Sequence, residues 1–347
     1  MKLATSLVLL LQLLASCSMM QDDRTNCPTC RNPLHITLRY DYNTVRANMF
    51  PDHVEQATVY VVDAQSGSVV DQQTAQNTAA SKPLHEPSFG FNFEGLTPGH
   101  YRLYAIGLSA SDQTFGMTTP DNAEAMSKLQ FVVPADAEGQ VPAHHLDTIW
   151  NTLKPVDLMI PEREPTQATI PLMRLTNDLN IIVFRRDIPA DNSHERYDVR
   201  VMDENATFNY DNTVESRDDG KQLVYHPFAA WTTETIVSDA VAERYAHYDL
   251  SLARLVCHDD ARRNARLIIT NKEDGHEVVN IDLCYYLALA RTAFEMQHDE
   301  EQEYLDREYD YCLDFGFERK DDHDVWKYMT ISINALSWSL RIQNTTL

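Results

Sequence analysis

The chain has 347 residues, 43% of them hydrophobic, and sets 29 lysines and arginines against 52 aspartates and glutamates for a formal charge of −23. A field of that sign repels phosphate backbones and anionic headgroups, which excludes nucleic acid as a partner and basic charge as a means of holding a membrane. The length suits two domains of ordinary size.

The N-terminus decides where the rest of the chain works. After Lys2, the apolar run Leu7 to Leu14 is too short to span a bilayer and has the size of a signal-peptide core. Leu14-Ala15-Ser16-Cys17 then follows the order of a bacterial lipobox. Cleavage between Ser16 and Cys17 removes residues 1–16 and leaves Cys17 to carry acyl chains on its sulfur and its amine. At ~0.8 kcal/mol per buried CH₂, more than one chain anchors stably. Apart from this covalent lipid on Cys17, no cofactor is expected. Residues 17–33 read as a polar tether that reaches roughly 55 Å when extended at ~3.3 Å per residue.

With Cys17 assigned to lipid, Cys27, Cys30, Cys257, Cys284 and Cys312 remain, an odd number that excludes a complete disulfide set. Cys27-Pro-Thr-Cys30 has thioredoxin-like spacing, but no helix follows to stabilise a thiolate, so it reads as a local disulfide or two free thiols. No second ligand pair completes a zinc site.

From Leu34 the pattern is that of short strands. Leu34 to Tyr42 alternates apolar and polar residues and reads as a half-buried strand. Val54 to Asp63 is a second strand, turned by Ala64-Gln-Ser-Gly67 into Ser68 to Val70. A polar loop is expected from Gln72 to Pro87. Phe89 to Phe93 and His100 to Ile106 alternate again, and Leu129 to Val133 with Leu146 to Ile160 complete a domain over residues 34–160. Prolines between Pro155 and Pro171 mark a boundary, and residues 161–347 form the second domain. It opens with a strand from Leu172 to Phe184 and continues with strands at Arg196 to Met202, Tyr245 to Leu255, Arg266 to Thr270 and Glu277 to Leu283. Lys272-Glu-Asp-Gly275 supplies a hairpin turn. Leu283 to Phe294 has helical spacing, and Tyr309 to Phe317, Lys327 to Ile333 and Leu336 to Ile342 close the domain as strands.

Candidates for chemistry are few. The acidic runs Asp299 to Glu303 and Asp321 to Asp324 lack the spacing of a calcium loop and read as a solvated face and a polar hairpin loop. His144 and His145, adjacent in sequence, read as a loop pair rather than metal ligands. Trp231, Trp326 and Trp338 suit either core packing or sugar stacking. Asp147-Thr-Ile149 resembles a bacterial O-glycosylation acceptor. There is no Gly-x-Ser-x-Gly, no His-Glu-x-x-His and no phosphate-binding glycine loop, and with ten glycines in all the chain is read as non-enzymatic, with no catalytic residue and no metal ligand.

The lipobox, the Cys-Pro tether, Leu34 to Tyr42, Val61-Val-Asp63, Leu172 to Val183, Gln302-Glu-Tyr-Leu-Asp-Arg-Glu-Tyr-Asp-Tyr311, Ile331-Ser-Ile-Asn and Trp338-Ser-Leu together resemble the FimB-like fimbrial anchor lipoproteins of Bacteroidetes. Asp22 and Asp23 after Cys17 are similar to the acidic signal that sends lipoproteins of that group to the outer leaflet of the outer membrane. The resemblance implies an all-β fold of two tandem transthyretin-like Greek-key β-sandwich domains, with a short helix in the second. It also implies a place at the base of a type V fimbria, where subunits join by donating a β-strand. The implied partners are stalk or accessory subunits by strand pairing, and the outer membrane through lipid. Stalk subunits of that system lose their first strand to proteolysis. Here the same cut would part the chain from Cys17, so Leu34 to Tyr42 is expected to stay in place. With only Gln343 to Leu347 beyond the last strand, no spare donor arm is expected, and the chain reads as a polymer terminator. A surface glycan-binding lipoprotein or fimbrial tip adhesin of the same fold is the alternative.

Overall fold

The structure, a computed structural model, describes residues 33–110, 114–162, 164–238, 240–293, 300–333 and 339–343. Ser16, Cys17, Cys27, Cys30, Phe294, Asp299 and Trp338 lie outside them, and with them the expectations about lipid, tether and signal cleavage. In chain order the strands are β1 (Leu34–Arg39), β2 (Gln56–Asp63), β3 (Val69–Gln76), β4 (Phe91–Phe93), β5 (Gly99–Leu108), β6 (Gly116–Thr118), β7 (Gln130–Val132), β8 (Ile149–Thr152), β9 (Val156–Ile160), β10 (Thr166–Arg174) and β11 (Thr176–Arg185). They continue as β12 (Tyr197–Asp203), β13 (Thr207–Asn209), β14 (Val214–Glu215), β15 (Leu223–Tyr225), β16 (Ala229–Val237), β17 (Ala240–Ala253), β18 (Arg266–Asn271), β19 (Glu277–Asp282), β20 (Asp310–Lys320), β21 (His323–Ile333) and β22 (Ser339–Gln343). The helices are α1 (Phe50–His53), α2 (Leu283–Ala293) and α3 (Glu301–Arg307). The chain is all-β, with one short α-helix in its first half and, where one was expected, two in its second.

The first half is one sheet in the order β3-β2-β5-β8-β10-β1-β4, with β9 beside β5. Leu34, Ile36 and Leu38 of β1 pack with Val59, Val61, Leu103, Phe91, Phe93 and Trp150 on one face. The opposite face is covered too. Tyr60, Val62, Tyr104 and Ile106 join a second core that includes Phe131 and Phe208 from a small sheet ordered β14-β13-β7-β6. The apolar alternation therefore fails along β2, whose six central residues are all buried, because each face of that strand has its own cover.

Pairing crosses the expected boundary at 160/161 in three places, one of them the bridge of Gln140 to Val224. β10 lies beyond it, yet pairs in parallel with β1 and antiparallel with β8. Pro161 and Pro165 fall between β9 and β10, while Pro171 stands opposite Arg39 at the end of the β1 ladder. A proline is tolerated at such a margin. β7, expected within the first domain, pairs with β13 of the second half. The expected single strand from Leu172 to Phe184 is broken at Leu175, whose N–H donates to Ile149 O and whose carbonyl accepts from Arg254 N. One residue thus leaves the first sheet and enters the next.

The second half stacks a six-stranded sheet, β16-β17-β11-β20-β21-β22, on a four-stranded one, β15-β12-β18-β19. Leu179, Ile181, Val183, Leu313 and Phe315 share a core with Val199, Val201, Leu267, Ile269 and Val279. At one end the layers are pinned by a buried polar cluster. Tyr197 Oη and Asn271 Nδ2 each donate to Asp324 Oδ2 at 3.0 Å, and Arg185 reaches its other oxygen at 3.3 Å. Asp324 was expected in a polar hairpin loop and is instead buried. Asp321 and Asp322 do form that turn. The expected loop from Gln72 also yields, since β3 runs on to Gln76 with Gln72 to Gln76 paired against β2.

α2 begins where the helical spacing begins, and Asp282 caps it by accepting from Tyr285 N at 2.9 Å. Among the described residues, no helix is long and apolar enough to cross a membrane.

Candidate functional site

For a protein read as a strand-pairing subunit, the functional surface is set by which strands are already paired. β1 is held from both sides. All six of its residues pair with β10, Leu34↔Thr166 through Arg39↔Pro171. Leu34 to Ile36 also pair with β4. Side chains reinforce both joints, with Thr37 and Thr169 hydroxyls 2.9 Å apart and His35 Nδ1 2.8 Å from Asn92 Oδ1. Close approach on the β4 side depends on Gly90, where a Cβ would collide with the His35 ring and the Ile36 carbonyl. Leu34, Ile36 and Leu38 are buried, worth ~1.5–3 kcal/mol each.

The segment after β1 is locked as well. Asn43, fully buried, donates from Nδ2 to the carbonyls of Tyr40 and Ala47 at 3.0 and 2.8 Å. Thr44 then fastens the first half to the second. Its N–H donates to Arg307 O, and its hydroxyl lies 2.8 Å from Glu308 Oε2. The Arg307 guanidinium sits 4.1 Å above the Tyr42 ring, a cation–π contact.

Arg307 and Glu308 end a clamp, residues 301–308, which contains α3. Arg254 and Asp306 form a buried two-pronged pair at 2.7 and 2.9 Å, and Arg254 also donates to Asn212 O. Gln302 donates to Leu255 O and Asp306 Oδ1, while Glu303 and Arg307 pair one turn apart. Burial raises the Glu308 carboxyl above its ordinary value against hydrogen bonds from Asp310 N, Thr44 and Tyr309 N. Burial also pushes Tyr42 up to about 12, with Asp306 and Glu303 adding to the effect. The acidic stretch read as a solvated face is thus, from Gln302 onward, the fastening between the two halves. The signal in the sequence was the alternation of carboxylates with Arg307, Tyr304 and Leu305 at helical spacing.

Open edges are the complement of this closed slot. β3 has Gln73 donating to Asn92 O of β4 at 2.7 Å. β15 is covered by residues 139–141, with Val224 N bonded to Gly139 O and Val141 N to Val224 O. Gly139 has φ +85°, and a Cβ there would strike Gln222 O. Among the described residues, no segment covers β16 by main-chain pairing in this way. It is the longest edge strand among the described residues, pairs with β17 alone, and carries a single charge, Glu234, neutralised by Arg244 at 2.8 Å. A register shift between Thr235 and Ile236 re-aims the tip, leaving Ile236 64% and Val237 58% exposed.

The other candidates disperse. Trp231, 37% exposed, stacks on His247 at 4.9 Å. Trp326 packs edge-on to Phe315 in the core. His145 pairs with Asp178. Among the described residues, no three His, Cys, Asp or Glu side chains gather as metal ligands. Thr148 of the glycosylation-like triplet is buried, its N–H bonded to Ser109 Oγ, so the folded chain does not present its hydroxyl.

A family model for the fimbrillin-A associated anchor proteins Mfa1 and Mfa2 matches residues 24–344. No curated protein matches. Among solved structures, a Bacteroides thetaiotaomicron protein proposed to be an adhesin is similar with a TM-score of 0.74 and 22% identity, covering 92% of this chain and 100% of its own. The fimbrial anchor protein Mfa2 of Porphyromonas gingivalis is similar with a TM-score of 0.62 and 16% identity, covering 89% of this chain and 99% of its own. At these identities the likeness is one of fold.

Proposed function

The chain belongs to the family of fimbrillin-A associated anchor proteins, and from that premise we propose that it is a lipid-anchored subunit that fixes the base of a type V fimbria to the outer membrane and ends its polymerisation. Lipid on Cys17 holds the chain, residues 17–33 tether it, and the joint to a stalk or accessory subunit is made by β-strand pairing. The observation that carries this reading is β1. Its place in the sheet is bonded on both sides and filled by three buried apolar side chains, so a strand from a neighbour has no vacancy there. An anchor tethered through residues just before β1 needs that strand to remain. β16 then offers the free row of main-chain donors and acceptors that strand addition requires.

The test is electron microscopy of cells carrying Cys17→Ala beside the parent strain, with the culture medium assayed for fimbriae. An anchor releases fimbriae into the medium when it loses its lipid. Fimbriae that stay attached and of normal length overturn the reading, and the glycan-binding or tip-adhesin alternative replaces it, with Trp231 its nominee among the described residues.

A further inference from the structure

Three thiols lie among the described residues and the anchor reading uses none of them: Cys257 and Cys312, half-buried, and Cys284, buried. Cys284 is in the first turn of α2, and its thiol donates to Val256 O at 3.6 Å, the carbonyl next to Cys257. The Cys257 and Cys284 thiols are near enough that each shifts the other, Cys257 downward and Cys284 upward. Both backbones are fixed. Cys257 N donates to Gln302 Oε1 at 2.8 Å, and Leu283 N donates to Ala265 O at 2.8 Å. Cys312 lies elsewhere, on β20, with its thiol 3.4 Å from Asn180 Oδ1.

We propose that Cys257 and Cys284 are joined by a disulfide in the exported protein, stapling α2 to the loop that follows β17 beside the clamp residue Gln302. The family's place at the cell surface puts the chain in a compartment where disulfides form and persist. The oxidant is a periplasmic dithiol–disulfide oxidase. The Cys257 thiolate attacks one sulfur of the oxidase disulfide, forming a mixed disulfide and releasing the other sulfur as a thiolate. The Cys284 thiolate then attacks Cys257 Sγ and releases the second. Two protons and two electrons leave the chain, and the oxidase ends as a dithiol. Cys257 is suited to attack first, because it is the more exposed of the two and the Cys284 thiol beside it holds its own thiol below the usual value. Cys284 is raised by its thiol partner and by burial. Of the three described cysteines, Cys312, its thiol raised by burial, is the one left reduced.

The experiment is mass spectrometry of the full chain isolated from cell envelopes, with free thiols alkylated under denaturing conditions before any reductant is added. The expected result is one linked peptide pair containing Cys257 and Cys284, with Cys312 alkylated. Alkylated Cys257 and Cys284, or either of them linked to a different cysteine, overturns the proposal. The mass of the N-terminal peptide reports lipid on Cys17 in the same sample, so failure of the anchor reading is seen separately. As a second measure, reduction should lower the Tm of the parent by roughly 5–10 °C and leave Cys257→Ser/Cys284→Ser unmoved. Equal Tm values for the parent with and without reductant would also overturn it.

Discussion

β1 and β16 are both strands that mix apolar and polar residues, and they meet opposite ends. β1 has β10 on one side and β4 on the other, its alternate side chains are buried, and the loop behind it is tied through Thr44 to the clamp. β16 has β17 on one side and, among the described residues, no strand on the other, and its exposed tip is Ile236 and Val237. A closed strand contributes stability and resists exchange. An open one contributes little and leaves its hydrogen-bonding groups available. Under the proposed function the two halves divide the work, holding in the first and joining in the second, and the contrast can be attacked from either end.

The largest effect is expected at the clamp. Asp306→Ala leaves Arg254 buried without its partner, a change that costs about 3–5 kcal/mol. Chemical denaturation should show that loss. Because the clamp also holds Thr44, hydrogen exchange should rise along Tyr40 to Asn48 as well as in α3. Exchange confined to α3 would mean that the loop after β1 is held independently. Next, Ile36→Ala empties part of the first core and should cost about 2–4 kcal/mol. It should also make the peptide bond after Arg39, at the end of β1, more open to trypsin in the intact protein. If stability is unchanged, β1 is not the structural strand the comparison makes it.

Much of this was written plainly in the residues. The alternation of Leu34 to Arg39, the helix starting at Leu283 and the turn ending at Gly275 are local signals, readable because a strand face or helix face has one period. What could not be read was set by partners far away in the chain. β2 is buried on both faces because β7 and β13 close over it. Asp324 is buried because Arg185, Tyr197 and Asn271 converge on it from three other strands. A carboxylate in a run of acids looks solvated until its cations are placed. The same blindness hid the clamp and the β16 edge, since Thr232 to Thr235 carries no apolar alternation and an edge is defined by the neighbour it lacks.

A third test separates the halves by pH. Burial pushes the Asp203 carboxyl, at the end of β12, from its ordinary 3.8 up to about 7 against hydrogen bonds from Asn205. Between those values the folded chain keeps a proton that the unfolded chain has lost, so stability contributed here is fully present below about pH 4 and falls as pH rises through about 7. Asp203→Asn should therefore flatten the pH dependence of the denaturation midpoint in that window by on the order of 2 kcal/mol. An unaltered slope would show that another group titrates there.

The smallest effect on stability, and the sharpest on the comparison, belongs to Ile236→Lys. The side chain is 64% exposed at the end of an edge strand, and substitution at such a surface position should stay within about 0.5 kcal/mol. Lysine on an edge is nonetheless one of the residues that keep strands from pairing. If β16 makes the joint, cells carrying Ile236→Lys should retain a folded, envelope-bound protein and yet shed fimbriae, as the Cys17→Ala strain does, with lipid and tether untouched. Fimbriae that remain attached would leave β1 closed and move the joint away from β16 to another edge. A protein that loses several kcal/mol instead would show that β16 is covered in the folded chain, and the contrast between a closed strand and an open one would fail at its open end.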